Sequence, residues 1–334
     1  MNVYLLTQEV DPRASILGFF WNWIAELSKR VENLYVSAYN VNEAEGLPEN
    51  VHCSHFSYVL LPKTWLQITY LKLFKRLDVV FVHMCPLFLI SVAPICKLLG
   101  IPVFLWYTHK HVDFKLKVAC KLAKKVFTAH EKGCAVAGKK LVIMGYGIYV
   151  PPATISKRNH LLISVGRVSR VKEHEIAIRA LPLMKKLFKD ISLEVVGDIY
   201  DKEYYAELVS LVRELGVWEN VRFLDKVSFE KMGEIYGNAT LSIVTSREGI
   251  SKASLESMYC GVPTLVRVEE FREVLGPYFE ACRYTDSEEL AEKVIRLFGS
   301  ADLKEKIGEY AKNNVRERFG IEGFMKRLVE EFEK

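Results

Sequence analysis

Two glutamates eight positions apart, Glu248 and Glu256, are the residues of this sequence whose type and spacing best suit chemistry. The apolar run 241–246 predicts a buried parallel strand, and residues 253–260 predict a helix that ends at Gly261. The turn between them directs backbone N–H groups and a helix N-terminus to the end of the strand, where α/β sheets bind ligands. Carboxylates at such a place can accept hydrogen bonds from sugar or ribose hydroxyls. Two ordinary surface acids are the alternative interpretation.

A cluster of cations precedes another predicted helix. Residues 160–166 predict a second buried strand, and Arg167, Arg170 and Lys172 follow it directly. A helix macrodipole disfavours cations at its N-terminus by about 0.3–1 kcal/mol each. The cluster is therefore expected to hold an anion, because arginine offers a fork to phosphate oxygens and lysine a point charge. A solvated basic loop is the alternative.

The overall composition indicates the class of protein. The chain has 334 residues, half of them apolar, which predicts two α/β domains with sizeable cores. Its seven cysteines show no Cys-x-x-Cys pattern, so reduced thiols in a cytoplasmic protein are expected and a zinc site is not. The N-terminal residues are typical of a first core strand rather than a signal peptide, and no apolar run is long enough to span a bilayer. The scarcity of glutamine beside plentiful lysine and glutamate favours a thermophilic source.

Strand and helix patterns alternate along the whole chain, which predicts two doubly wound sheets divided near Pro151 and Pro152. The strand candidates are 3–7, 34–39, 79–84, 103–107, 126–129 and 141–144 in the first half, and 161–165, 193–196, 221–224, 241–244 and 264–266 in the second.

Charge is unevenly distributed between the halves. Residues 1–150 hold 17 Lys and Arg against 10 Asp and Glu, and the remainder holds 29 against 31. Much of the excess lies in the amphipathic, aromatic segment 63–76 and in 110–125. A basic amphipathic helix predicts peripheral association with a membrane, and a sheet-covering helix with a solvated basic side is the alternative. No nucleic-acid partner is predicted, because no binding motif is present and the pI of about 8.6 is only mildly basic.

These segments together resemble the family 4 retaining glycosyltransferases of the GT-B fold. The resemblance rests on the Glu248-x7-Glu256 element, on Met258-Tyr259-Cys260-Gly261-Val262-Pro263 after it, and on Gly166-Arg167…Lys172 before it. It implies an α/β fold of two Rossmann-like doubly wound domains facing a central cleft. These would be residues 1–152 for the acceptor and 153–318 for the nucleotide sugar, with a C-terminal helix over 319–334 crossing back to the N-terminal domain.

The resemblance also implies roles for single residues. It assigns Arg167 and Lys172 to the donor diphosphate, Glu248 to the transferred sugar and Glu256 to the nucleotide ribose. The other donor-binding candidates lie in the turn after Glu248, in the base-contacting loop and in the N-terminal glycine-rich loop: Gly249, Ile250, Ser251, Lys252, Val227 and Gly18. The last loop departs from the family pattern, because residues 14–18 contain one glycine where a pair is usual.

A histidine of the N-terminal domain is expected beside the reacting sugar. Residues 101–107 predict a buried strand with a polar tip, and His109 in that tip matches the place where the family presents a catalytic histidine. His111 and His83, the latter at the end of a neighbouring predicted strand, are the other acceptor-side candidates. A structural role is the alternative for each of the three.

The implied function is that of a retaining hexosyltransferase that moves a sugar from a nucleotide-diphosphate sugar to a glycan, lipid-linked or small-molecule acceptor. Front-face transfer is favoured, with His109 and Glu248 as the catalytic candidates and no covalent nucleophile. No metal or cofactor is expected, because the sequence shows no metal-ligand cluster. A sugar-nucleotide epimerase and a catalytically silent sugar-nucleotide-binding protein of the same fold are the alternatives. A dinucleotide-dependent dehydrogenase is disfavoured, since no Gly-x-Gly-x-x-Gly follows a strand.

Overall fold

The computed structural model describes residues 1–14, 17–42, 45–56, 61–109, 111–130, 133–154 and 158–334. They form two compact units, one made of Met1–Gly147 with Ile321–Lys334 and the other of Ile148–Gly320. Each unit contains one sheet of parallel strands joined by helices. The predicted pair of Rossmann-like α/β domains is confirmed. The chain passes between the units at 147/148 and 320/321, where the sequence predicts boundaries at 152 and 318.

The first unit holds a seven-stranded sheet in the order β3-β2-β1-β4-β5-β6-β7. Its strands are β1 (Asn2–Val10), β2 (Asn33–Val41), β3 (Val51–His55), β4 (Leu77–His83), β5 (Val103–Trp106), β6 (Lys125–Thr128) and β7 (Leu141–Ile143). Its helices are α1 (Gly18–Ser28), α2 (Leu61–Lys75), α3 (Pro86–Leu98), α4 (Phe114–Leu122) and, from the end of the chain, α13 (Ile321–Glu333).

Strand β3 is missing from the sequence-based prediction. It pairs with β2 in parallel at the edge of the sheet and reads Val-His-Cys-Ser-His, with partly or largely exposed side chains throughout. A strand that buries so little apolar surface lacks the continuous hydrophobic run by which the central strands are found.

The two faces of this sheet are covered by different helices. One core cluster joins Val80, Val82 and Leu105 of the sheet to α2, α3 and α4. The alternate strand residues Phe81, Phe104 and Phe127 face the other way and pack on Phe332 of α13. Helix α1 packs against α13 on that side. The outer faces of α2, α3 and α4 therefore form one continuous side of the unit.

The second unit holds a five-stranded sheet in the order β10-β9-β8-β11-β12. Its strands are β8 (Leu161–Val165), β9 (Ser192–Val196), β10 (Val221–Leu224), β11 (Leu241–Ile243) and β12 (Thr264–Leu265). Its helices are α5 (Glu175–Lys185), α6 (Lys202–Glu214), α7 (Met232–Asn238), α8 (Lys252–Tyr259), α9 (Arg272–Leu275), α10 (Phe279–Cys282), α11 (Ser287–Phe298) and α12 (Ala301–Phe319).

The C-terminal helix belongs to the first unit because of its aromatic contacts. Phe324 packs on Trp23 with 4.4 Å between ring centroids, and the Trp23 indole N–H donates to the Gly147 carbonyl at 3.0 Å. Gly147 has φ +59°, and a Cβ there would lie 2.9 Å from the Phe324 ring, so only glycine fits this crossing point. None of the helices in the described ranges is long and apolar enough to cross a membrane.

Candidate functional site

The loops that follow β8 and β9 are tied together by close backbone contact. Gly197 after β9 has φ +150°, and a Cβ on it would lie 2.2 Å from the Gly166 carbonyl oxygen after β8. The Val168 N–H donates to the Asp198 carbonyl at 2.8 Å, which extends the strand pairing beyond the sheet. Glycine at 197 therefore permits the loop that carries Arg167 to lie directly on the neighbouring strand end.

Lys172 and Glu248 meet although they are 76 positions apart. The Lys172 ammonium donates to the Glu248 carboxylate at 2.7 Å, and it is the more buried partner, with a side chain 19% exposed against 46%. Thr245 follows β11, and its hydroxyl donates to the Lys172 carbonyl, which fixes the backbone at Lys172. The sequence elements predicted to share one site are therefore in contact at the carboxyl ends of β8 and β11, which are adjacent strands.

The turn after Glu248 is shaped to begin a helix. Gly249 has φ +95°, which favours glycine, and Ser251 caps α8 in a capping box with Ser254. The helix begins at Lys252, one residue before the predicted start. Gly261, with φ +77°, follows its C-terminal end as predicted. The turn Gly249–Ser251 thus lies between Glu248 and the positive end of α8.

Glu256 lies in a small buried network with Lys252 and Tyr236. The Tyr236 hydroxyl donates to one Glu256 oxygen at 3.0 Å, and the Lys252 ammonium lies 3.4 Å from the other. Burial raises the pKa of Glu256 against the opposing influence of Lys252 and Tyr236, and burial lowers the pKa of Lys252 to about 8. The Lys252 ammonium also lies 5.2 Å from the centre of the Phe229 ring. The carboxylate is thus held in one orientation, with both oxygens already in contact with a partner.

The two arginines of the basic loop separate. Arg167 is exposed and its guanidinium lies 5.2 Å from the Tyr200 ring centre. Arg170 turns to α6 and donates to both oxygens of Glu207, at 2.8 and 2.6 Å. Arg170, a member of the predicted anion-binding cluster, therefore forms an exposed bidentate pair with a carboxylate instead.

His174 supports this loop and is a residue that the sequence analysis did not identify. It is 1% exposed, and burial lowers the pKa of His174 to about 4, so the ring is neutral at neutral pH. Its Nε2 lies 3.3 Å from the Arg167 carbonyl and its Nδ1 lies 3.0 Å from the Ser164 hydroxyl. A neutral ring donates through one nitrogen and accepts through the other, which matches Nε2–H donating to the carbonyl and the hydroxyl donating to Nδ1. Its position, directly before α5 and two residues after Lys172, is the signal that could have found it.

Val227, the base-loop candidate, lies after β10 and is half-buried. Phe229 lies two residues after Val227, and its ring is the one that the Lys252 ammonium contacts. The candidate donor residues of the second unit thus all follow the carboxyl ends of parallel strands, which is where open α/β sheets bind ligands.

The acceptor-side candidates lie in the first unit and differ in exposure. His109 and His111 are both exposed beyond the end of β5, and the His109 Nδ1 accepts from the His111 N–H at 3.0 Å. The His109 N–H donates to the Gly133 carbonyl at 3.0 Å, which fixes the backbone of this tip.

His83 does not have the open position that the sequence suggests. It is 1% exposed, its ring stacks on Phe20 at 3.7 Å between centroids, and its Nδ1 lies 3.1 Å from the Thr7 hydroxyl. A ring packed in this way supports α1 and is not open to an acceptor. The cause is the aromatic first turns of α1, which cover the end of β4.

Gly18 begins α1 and is buried, and its N–H donates to the Ala14 carbonyl at 2.9 Å. Its backbone donor is therefore used within the loop. Ser15 and Ile16 of the same candidate loop lie outside the described residues.

Comparison with known proteins identifies a family for the second unit. Residues 150–314 match the family described as glycosyl transferases group 1. The chain is 27% identical over 183 residues to N-acetyl-alpha-D-glucosaminyl L-malate synthase of Bacillus anthracis. That match covers 54% of this chain and 45% of the synthase. It is 31% identical over 179 residues to an uncharacterized glycosyltransferase of Methanocaldococcus jannaschii. That match covers 52% of this chain and 44% of the M. jannaschii protein. The chain thus spans about half the length of these curated relatives.

A solved structure matches the chain over its whole length. Anabaena Alr3699/HepE in complex with UDP superimposes with a TM-score of 0.74 and 18% identity, covering 100% of both chains. At this identity the likeness shows the fold of both units.

Proposed function

Through its second unit this chain belongs to the group 1 glycosyl transferases, and we propose that it transfers a sugar from a nucleotide-diphosphate sugar to a glycan, lipid-linked or small-molecule acceptor. The observation that carries the proposal is the 2.7 Å contact between Lys172 and Glu248 beside the N-terminus of α8. It brings a cation suited to phosphate and a carboxylate suited to sugar hydroxyls to one edge of a parallel sheet. Neither alternative function is favoured by the family match.

In the proposed reaction the donor diphosphate lies against Lys172, Arg167 and the first turn of α8. These groups stabilise the negative charge that develops on the diphosphate as its bond to the anomeric carbon breaks. Lys252 adds a further cation in that turn. Because the charge is greater in the transition state than in the bound donor, these contacts accelerate the transfer rather than only tightening binding.

The two glutamates of the motif bind the uncharged parts of the donor, which are the transferred sugar and the ribose. Glu248 accepts hydrogen bonds from hydroxyls of the transferred sugar, and Glu256 accepts from the ribose. The acceptor oxygen forms its bond to the anomeric carbon on the face from which the diphosphate leaves, and its proton passes to the departing phosphate oxygen. Retention, a hexosyl donor and independence of metal are parts of the proposal and stay predictions.

A uridine nucleotide is the first candidate for the donor. The Anabaena protein that shares this fold was solved with UDP, which supports a uridine nucleotide here. In the base-side loop of this chain the half-buried Val227 follows the exposed Asp225 and Lys226. We place His109 on the acceptor side, because it is the first of the two exposed histidines that follow the buried strand β5.

The basic helix predicted from the sequence supports a membrane-associated acceptor. Helix α2 buries Thr64, Ile68 and Leu71 against the sheet. On its other side, Leu66, Leu73 and Phe74 are 71%, 66% and 71% exposed. The helix thus covers the sheet and also presents apolar side chains to solvent, and the second feature supports the proposed membrane contact. Exposed apolar side chains beside cations are typical of surfaces that enter a bilayer interface.

The same surface continues over α3 and α4. The three helices carry seven lysines and no carboxylate: Lys63, Lys72, Lys75, Lys97, Lys115, Lys117 and Lys121. Leu98 and Phe114 on these helices are 80% and 78% exposed. Because nucleic acid offers phosphate but no apolar phase, the apolar side chains favour an anionic bilayer as the partner. We therefore place the protein at the cytoplasmic face of a membrane, with a lipid-linked acceptor as the leading candidate.

Binding of nucleoside diphosphate tests the donor site directly. Lys172→Ala and Glu256→Gln are each expected to weaken UDP binding by about tenfold, because a charge-assisted hydrogen bond is worth roughly 1.5–3 kcal/mol and part of that is offset by existing partners. Titration calorimetry measures the effect. Lys189→Ala, at an exposed lysine of the same unit, is the matched control. Unchanged affinity in both site variants would remove the donor assignment.

A further inference from the structure

Two of the seven cysteines lie in contact, outside every role described above. The Sγ atoms of Cys120 and Cys134 are 3.8 Å apart, and the residues are 4% and 1% exposed. Cys120 lies on α4, and Cys134 precedes a 3-10 helix over Ala135–Lys140. In a disulfide the two sulfurs are about 2.05 Å apart, so a movement of less than 2 Å by the side chains would join them.

The surroundings favour reaction at one of the two sulfurs. The hydrogen bond between the two thiols lowers the pKa of Cys120 and raises the pKa of Cys134, and the charge of Lys140 also lowers the pKa of Cys120, against the effect of burial. Lys140 is fixed there because its ammonium donates to the carbonyls of Cys120 and Ala123 at the end of α4, at 3.2 and 2.7 Å. The thiolate is the nucleophile in disulfide exchange, so Cys120 is the attacking residue.

Cys120 is also one of the residues around a pocket that opens to solvent. It lines an open pocket of about 440 Å³ between α4 and the 3-10 helix, together with Lys117, Lys121 and Val136. The cationic rim attracts anionic thiol reagents. Cys96 and Cys282, by contrast, are wholly buried, and burial raises the pKa of each thiol to about 12.

We propose that Cys120 and Cys134 are a modification site that forms a reversible disulfide by exchange with a low-molecular-weight disulfide such as oxidised glutathione. The Cys120 thiolate attacks one glutathione sulfur and expels a glutathione thiolate. Cys134, after losing its proton, attacks the Cys120 sulfur of the mixed disulfide and releases the second glutathione. The protein loses two electrons and two protons, and the reagent gains the electrons. In a reducing compartment such a bond serves as a redox-sensitive element rather than a permanent crosslink.

The bond would act on the candidate histidine through one short segment. Gly133, next to Cys134, accepts from the His109 N–H at 3.0 Å. A Cβ at Gly133 would lie 2.2 Å from the Thr128 hydroxyl oxygen and 3.1 Å from that of Thr108, so the segment has little room to adjust separately. Drawing Cys134 towards α4 therefore moves the tip that carries His109. This consequence rests on the proposed function, whereas the disulfide itself does not.

The test uses the unmodified protein in glutathione buffers of increasing oxidised fraction. Free thiols are trapped with N-ethylmaleimide under denaturing conditions and mapped by mass spectrometry. We expect five of the seven cysteines to be alkylated in the oxidised protein, with Cys120 and Cys134 joined, and all seven after reduction. Alkylation of all seven throughout the series, or scrambled pairing with other cysteines, would overturn the proposal.

Substitutions separate exchange from chance oxidation. Cys134→Ser is expected to stop at one glutathione on Cys120, because no resolving thiol remains, and Cys282→Ser is the matched control that leaves the disulfide in place. A Cys134→Ser protein without the adduct would contradict the role of Cys120. Oxidation is expected to change sugar transfer while leaving UDP affinity unchanged. Equal turnover in both forms would refute the link to His109 but not the disulfide.

Discussion

At the scale of single residues, the candidate donor site contains its own counter-ions. Lys172 pairs with Glu248, and Lys252 lies against Glu256. The roles proposed for these residues require the pairs to open, since the diphosphate replaces Glu248 at Lys172 and the freed carboxylate turns to the sugar. Because the lysines and glutamates pair with each other, each partly buried charge has a partner before the donor binds.

A counter-intuitive result follows for Glu248→Gln. Removing the carboxylate removes the competitor of the diphosphate at Lys172, so UDP is expected to bind up to about fivefold more tightly, since an exposed ion pair is worth about 1 kcal/mol or less. A UDP-sugar should lose this advantage, because the contact to the sugar is weakened. Calorimetry with both ligands measures the difference. Glu207→Gln, which breaks the exposed pair with Arg170, is the control. Weaker UDP binding in Glu248→Gln would show that Glu248 does not compete for Lys172.

At the level of residues, the sequence motifs predict which side chains lie together, while the roles of these side chains stay predictions. Glu248 and Lys172 are predicted to share a site and do lie in contact. The supporting residues are missed, because the sequence does not show that His174, just before α5, and Tyr236 on α7 turn inward and make their hydrogen bonds there. Arg170 is indistinguishable in sequence from its neighbours, and only the position of Glu207 on α6 shows that it turns away.

At the scale of elements, the buried strands and the helix starts follow from local patterns. Continuous apolar runs identify the central strands, and the capping box and Gly261 mark the ends of α8. The polar edge strand β3 escapes because pairing with β2, and not its own side chains, determines its conformation. The surface of α2, α3 and α4 is only partly foreseen, since the sequence does not show that three separate helices lie side by side.

That surface gives a prediction at the same scale. The protein is expected to cosediment with vesicles containing anionic phospholipid at low ionic strength and to be released by salt. Lys75→Glu, Lys117→Glu and Lys121→Glu together should lower the partition coefficient by about a hundredfold or more, because each basic residue contributes about 1 kcal/mol near such a surface.

The control for this experiment reverses three exposed lysines elsewhere, Lys186, Lys189 and Lys326, and leaves vesicle binding largely intact. Leu73→Ser with Phe74→Ser should weaken binding without changing the net charge. A protein that stays in the supernatant with anionic vesicles, or that prefers duplex DNA to them, would show that the lysines are not a membrane surface.

At the scale of the whole molecule, the regular alternation of strands and helices makes the fold predictable. Two parallel sheets arise because most of the apolar strands are followed by a helix that covers the sheet, and the aromatic contacts of Phe324 return the end of the chain to the first unit. The base, the sugar and the acceptor are not predictable in this way. They depend on a few side chains, such as Val227 and His109, whose meaning comes from the ligand rather than from the fold.

The most direct test of the central claim is release of nucleoside diphosphate from nucleotide sugars. The purified protein is incubated with UDP-, GDP- and ADP-sugars, with and without a panel of lipid-linked and soluble acceptors, and the released diphosphate is quantified. We expect release from one nucleotide class, strongly increased by an acceptor and lost in Lys172→Ala, with the product anomer matching the donor by NMR. Tight UDP binding without any release would indicate a silent binding protein. Interconversion of sugar nucleotides without release would indicate an epimerase, and either result would contradict glycosyl transfer.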